Sequence, residues 1–112
     1  MSGITTHVLD VSRGRPAPDV AVSLEREADS GWEEVGGART DDDGRAGGLG
    51  AGEAPEAGTY RIRFEVGDYF ARTGTDAFYP RVEVTFRLDD PSEHYHVPIL
   101  LGPFGYTTYR GS

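Results

Sequence analysis

Three histidines, His7, His94 and His96, are the side chains of this chain best suited to moving a proton near neutral pH. An unperturbed imidazole titrates at about 6.5, close to most working conditions. His94 and His96 are two residues apart, so alternation along a strand puts both on one face with Pro98 and Leu100. Tyr95, Val97 and Ile99 then point the other way. A single histidine in a strand is usually a structural side chain with a satisfied hydrogen bond; the pair on one face is harder to explain that way. His-x-His is also a ligand spacing for zinc or iron, with His7 as a third donor. No carboxylate stands at a telling spacing and cysteine is absent. A metal-free site without a cofactor is expected ahead of a metal centre, although the spacing alone does not decide between them.

Composition removes other chemistries. The 112 residues include no cysteine, so thiolate catalysis, disulfides and cysteine metal sites drop out. All eleven basic residues are arginine, which excludes lysine Schiff bases and the lysine of a phosphate-binding P-loop. A net charge of −8 argues against nucleic acid and against an anionic membrane surface. No stretch is long and apolar enough to span a bilayer, and Met1-Ser2-Gly3-Ile4 carries no apolar leader, so a cytoplasmic protein is expected.

The elements that must hold these histidines read as short strands. The length allows one domain, residues 1–112. Sixteen glycines and seven prolines break the chain into pieces too short for long helices. Val20, Val22 and Leu24 alternate with Ala21, Ser23 and Glu25. Tyr60, Ile62, Phe64 and Val66 alternate with arginines and Glu65, and Val82, Val84, Phe86 and Leu88 with polar residues. Residues 14–19 hold two prolines and read as an unpaired turn. Residues 40–45, with Gly44 free to take positive φ, read as a tight turn closing a hairpin. Residues 47–58 read as an exposed loop, and residues 67–73 as the one short helix, ended by Gly74. Seven to eight strands at this spacing predict an all-β, two-sheet sandwich with one short helix.

The strand bearing His94 and His96 has no charge on either face, so it is expected to be covered on both sides. In so short a chain the second cover is most naturally another subunit. Residues 103–112 keep a strand-forming, aromatic composition to the last position, which suggests a docked end.

Thr6-His7-Val8-Leu9-Asp10, Asp43-Gly44-Arg45, Phe78-Tyr79-Pro80 and His94-Tyr95-His96-Val97-Pro98-Ile99-Leu100-Leu101 resemble motifs of the 5-hydroxyisourate hydrolases. The closing Tyr109-Arg110-Gly111-Ser112 matches that family most specifically, because it separates the enzymes from the hormone-carrying transthyretins of the same fold. The resemblance runs end to end, with loop differences between residues 46 and 57. Gly102 stands where serine is common in the family, with no expected consequence.

The resemblance implies a transthyretin-like sandwich that forms a homotetramer, a dimer of dimers, with active sites in the channel between stacked dimers. It implies hydrolysis of the small molecule 5-hydroxyisourate to 2-oxo-4-hydroxy-4-carboxy-5-ureidoimidazoline in urate degradation. His7, Arg45 and His96 are its implied catalytic residues, and Tyr109, Arg110 and Ser112 its substrate-binding ones. On this reading His96 orients and deprotonates water with His7 opposite, and Arg45 offsets charge growing on oxygen. Direct attack by water is favoured, since no serine–histidine–acid set can be read from spacing. Arg110 fits equally well a salt bridge that fixes the chain end, and His94 a structural role. The rival readings are a transthyretin-like carrier without catalysis, a structural sandwich module and, third, a metalloenzyme. Fold alone separates none of them.

Overall fold

The computed structural model describes residues 3–49 and 55–112. Its strands are β1 (Gly3–Asp10), β2 (Arg15–Pro16), β3 (Ala21–Ala28), β4 (Gly31–Arg39), β5 (Arg45–Ala46), β6 (Gly58–Phe64), β7 (Val82–Leu88), β8 (His94–Leu101) and β9 (Tyr106–Thr108). One helix, α1 (Val66–Arg72), lies between β6 and β7. The first sheet runs β2-β1-β8-β9, with β5 also paired to β1; the second runs β4-β3-β6-β7. The architecture is the expected all-β sandwich with one short helix.

Alternation builds the core. Val22, Leu24, Tyr60, Ile62, Phe64, Val82 and Leu88 turn inward from the second sheet. They meet Ile4, Val8, Tyr95, Val97, Ile99 and Leu101 of the first. Each such side chain stabilises the fold by roughly 1.5–3 kcal/mol through burial. The central pairing of the first sheet is parallel: β1 runs beside β8 with Thr5 opposite His96 and His7 opposite Pro98. That register brings together two strands about ninety residues apart in sequence, and the site depends on it.

The two outer faces differ. On the second sheet Arg61 reaches Glu25 at 2.8 Å and Arg63 reaches Glu83 at 2.9 Å. The Arg61 guanidinium also lies over the Trp32 ring at 4.2 Å. The hydrogen bond from Arg61 holds the Glu25 carboxyl below its ordinary range, so this face is a neutralised charge ladder. The outer face of the first sheet instead carries half-buried Thr5, His7, Leu9, His94, His96 and Leu100.

Several expectations need correction. The tight turn at residues 40–45 exists, with the Gly44 amide donating to the Asp41 carbonyl at 2.9 Å. It closes no hairpin: β4 pairs with β3, whereas β5 crosses to the other sheet and pairs with β1. Local turn chemistry is the same in either case. Val66 begins the helix rather than extending β6, although it remains buried. Residues 14–19 are not wholly unpaired, because Arg15 and Pro16 pair with Asp10 and Leu9. Pro16 is tolerated there at the sheet's edge. Within the expected loop at residues 47–58, Leu49 is fully buried rather than exposed, while residues 50–54 lie outside the described residues. Among the described residues no helix is long and apolar enough to cross a membrane.

Candidate active site

The site sits on the outer face of the first sheet, in a cavity of about 330 Å³. Thr5, Arg45, His94, His96 and Ser112 are among the residues that line it. Arg45 arrives through Gly44. The Gly44 φ is 77°, and any side chain there would run into the Val8 carbonyl oxygen. Only the bare backbone lets β5 dock on β1, where the Val8 amide donates to the Gly44 carbonyl at 2.7 Å. Docking sets Arg45 opposite His7 in the ladder. Among the described residues the Arg45 side chain makes no ion pair, so its guanidinium is available to an anionic oxygen.

His94 and His96 stack with ring centroids 6.4 Å apart. The Thr5 hydroxyl lies between them, 2.9 Å from His94 Nε2 and 2.8 Å from His96 Nδ1. With Nδ1 so engaged, Nε2 is the His96 atom left for other partners. Burial lowers the His96 pKa below its ordinary value, and the Arg45 guanidinium and the neighbouring His7 and His94 imidazoles lower it further. An acceptor on the Thr5 backbone pulls more weakly the other way. These influences favour the neutral form of His96.

His7 stands beside this cluster on β1 but does not line the cavity wall. Its Nε2–H donates to the Asp43 carbonyl at 2.8 Å. A carbonyl only accepts, so the neutral His7 ring carries its proton on Nε2 and leaves Nδ1 as a free lone pair.

The last residues divide. β9 runs antiparallel to β8, and beyond it the Gly111 amide donates to the His96 carbonyl at 2.8 Å, which delivers Ser112 to the cavity. Tyr109 and Arg110 do not line it. Both border a separate, smaller cleft with Val84, Phe86, Tyr95 and Val97. There Arg110 bonds Glu93 at 3.0 Å and lies over the Tyr95 ring at 4.4 Å. Of the six sequence-derived site residues, Arg45, His96 and Ser112 meet in one cavity, His7 is adjacent, and Tyr109 and Arg110 are apart within the protomer. Thr5 was not singled out from the sequence, although its place two residues before His7 puts it on the same strand face. Among the described residues no three His, Cys, Asp or Glu side chains converge as a metal ion would require.

The arrangement supplies two imidazoles, an unpaired guanidinium and a hydroxyl around a small cavity, the parts needed to polarise a carbonyl and activate water. A protein named 5-hydroxyisourate hydrolase from Halalkalibacterium halodurans is 49% identical over 119 aligned residues, covering all of both chains. The solved 5-hydroxyisourate hydrolase of Klebsiella pneumoniae superposes with a TM-score of 0.86 at 39% identity, again over all of both chains. Transthyretin from Sparus aurata superposes with a TM-score of 0.91 at 30% identity, over 99% of this chain and 97% of that one. The model of the HIUase/Transthyretin family matches residues 4–111. On its fold, its site and these matches, the chain belongs to the HIUase/Transthyretin family.

Proposed function

We propose that this protein is an enzyme that hydrolyses 5-hydroxyisourate to 2-oxo-4-hydroxy-4-carboxy-5-ureidoimidazoline in urate degradation. The observation that carries this reading is the meeting of Arg45, His96 and Ser112 in one cavity, with His7 beside them. A carrier of an aromatic ligand has no use for that set. Near-identical folds in a hydrolase and a transthyretin leave the side chains of the site to decide between them.

The reaction opens a cyclic amide. Water adds to the ring carbonyl, the ring C–N bond breaks, one water proton ends on the departing nitrogen, and the new carboxylic acid gives up the other to leave a carboxylate. His7 and His96 handle the protons, and Arg45 binds the oxygen on which charge accumulates. In a chain of net charge −8, Arg45 also offers an anionic substrate a local point of attraction. Ser112 hydrogen-bonds the substrate ring. Within the protomer Tyr109 and Arg110 border the separate cleft, so on this reading they meet substrate across a subunit boundary.

A homotetramer, a dimer of dimers, belongs to the same reading. It is supported by exposed apolar side chains on or beside β1 and β9: Val11, Phe104, Tyr106 and Tyr109, with Phe104 72% exposed. Sedimentation of the purified protein tests it. A cytoplasmic location rests on composition alone. The reaction is tested by forming 5-hydroxyisourate from urate in situ and following its ultraviolet decay with wild type and His96→Asn. Accelerated decay that the variant loses supports the enzyme. Decay at the spontaneous rate from a correctly folded protein would favour the carrier.

A further inference from the structure

Thr5 Oγ1 touches two imidazole nitrogens, His94 Nε2 and His96 Nδ1, yet a hydroxyl has one hydrogen to give. When both rings are neutral, the hydroxyl donates to one nitrogen and accepts from the other. The direction is set at His94. Its Nδ1 is buried and, among the described residues, has no hydrogen-bond partner. A proton there would be an orphaned buried donor, which folded proteins avoid more strictly than an unfilled acceptor. The His94 proton therefore sits on Nε2 and is donated to Thr5. The Thr5 hydrogen then goes to His96 Nδ1, and the His96 proton is left on Nε2.

We infer that Thr5 is a positioning residue that, with His94 behind it, holds neutral His96 as the Nε2–H tautomer, so that His96 faces substrate as a hydrogen-bond donor. This rests on the hydrolytic reading of the site and refines it. It also reverses the sequence-based expectation that His96 takes the proton from water. His7 is left for that task, because its Nε2–H is committed to the Asp43 carbonyl and its Nδ1 is a lone pair. Among the groups facing His96, Arg45 on β5, His7 on β1 and His94 on β8 disfavour its protonation, against a weaker opposite pull from the Thr5 backbone, while the Thr5 hydroxyl lies 2.8 Å from Nδ1. In the reaction the water proton passes to His7 Nδ1 as oxygen adds to the carbonyl carbon. His96 Nε2–H and Arg45 hold the resulting oxyanion. When the ring C–N bond breaks, His7 returns the proton to the departing nitrogen.

The test is long-range ¹H–¹⁵N NMR of the histidines in the wild-type protein, at a pH where the rings are neutral, which requires no substrate. The expected spectrum has a pyrrole-like Nε2 and a pyridine-like Nδ1 on both His94 and His96. A His96 proton on Nδ1 would overturn the inference whatever the protein hydrolyses. Kinetics on 5-hydroxyisourate supply the second arm. Thr5→Val is expected to lower kcat by on the order of 10²-fold with KM little changed, and Thr5→Ser to restore most of it. Wild-type kcat in Thr5→Val would also overturn it. An inactive wild-type enzyme with the expected tautomers would instead count against the hydrolytic reading alone.

Discussion

Gly111 lies against the imidazole of His96: its amide donates to the His96 carbonyl at 2.8 Å, and a Cβ at position 111 would come within 2.6 Å of the ring Cδ2. Cδ2 is bonded to Nε2, the atom that faces substrate. The ring cannot swing away freely, because Thr5 holds its other side at 2.8 Å. Gly111→Ala is therefore expected to displace either the imidazole or the segment carrying Ser112. A shift of about 1 Å can cost roughly 10²-fold in rate. We expect kcat to fall by at least about ten-fold with the melting temperature nearly unchanged, measured by substrate decay and by thermal denaturation.

Arg45 acts on both substrate and His96. Arg45→Ala should lower kcat/KM by roughly 10²- to 10³-fold, the scale for losing one electrostatic stabiliser of an oxyanion. The same substitution removes a positive charge that helps depress the His96 pKa. An NMR titration should place the wild-type His96 midpoint below the ordinary value of about 6.5 and the Arg45→Ala midpoint nearer to it. The sign for stability follows. A depressed imidazole pKa means that the unfolded chain binds more protons below about pH 6.5. The His96 contribution to stability is thus present above that pH and is lost as pH falls through the folded value. A wild-type midpoint above 6.5 would contradict the account.

Asp10 is a fully buried carboxylate that does not line the cavity, and Tyr69 on α1 donates to it at 2.7 Å. Burial alone would raise the Asp10 pKa, but hydrogen bonds from Ser12, Tyr69 and the backbone at Ser12 and Arg13 outweigh it and lower the value. Burial, and then the Asp10 carboxylate, push the Tyr69 phenol up to about 12. The carboxylate's contribution to stability therefore holds above its unfolded pKa of about 3.9 and fails as pH falls through the lower folded value. The phenol's contribution is complete below about pH 10 and fails as pH rises through about 12. Tyr69→Phe should cost about 1–3 kcal/mol at neutral pH in urea denaturation and leave turnover unaltered. An unchanged unfolding midpoint would mean that this bond does not tie α1 to β1.

What could be read from the sequence, and what could not, follows from the range of the interactions. Val22 and Leu24, Ile62 and Phe64, and Val82 and Leu88 announce their strands because burial repeats every second residue. β4 is silent. Its Gly31, Gly36 and Gly37 interrupt the pattern, and as an edge strand it pairs only with β3. The motifs named His7, Arg45 and His96, but the parallel register of β1 and β8 is not encoded in either strand alone. Thr5 between two imidazoles follows from that register and so stayed hidden. The same holds for Arg110: its motif points to substrate, whereas its position one residue before Gly111 turns it toward Tyr95 and Glu93.

Arg110 gives the last prediction, because its two readings differ by orders of magnitude. Its pair with Glu93 leaves both side chains more than half exposed, so the ion pair adds about 0–1 kcal/mol at most. Stacking over Tyr95 contributes about 0.5–1 kcal/mol at such a site. If Arg110 anchors the segment, Arg110→Ala should loosen Ser112 and reduce kcat only a few-fold. Glu93→Gln should then show the same small effect, since it breaks the same anchor without touching substrate. Deleting Ser112 should cost far more, because that residue itself lines the cavity. A loss of 10²-fold or more in Arg110→Ala, with Glu93→Gln unaffected, would mean that the guanidinium leaves Glu93 to meet substrate in the assembled enzyme. Measuring kcat and KM for the three variants side by side separates an anchor from a substrate-binding cation.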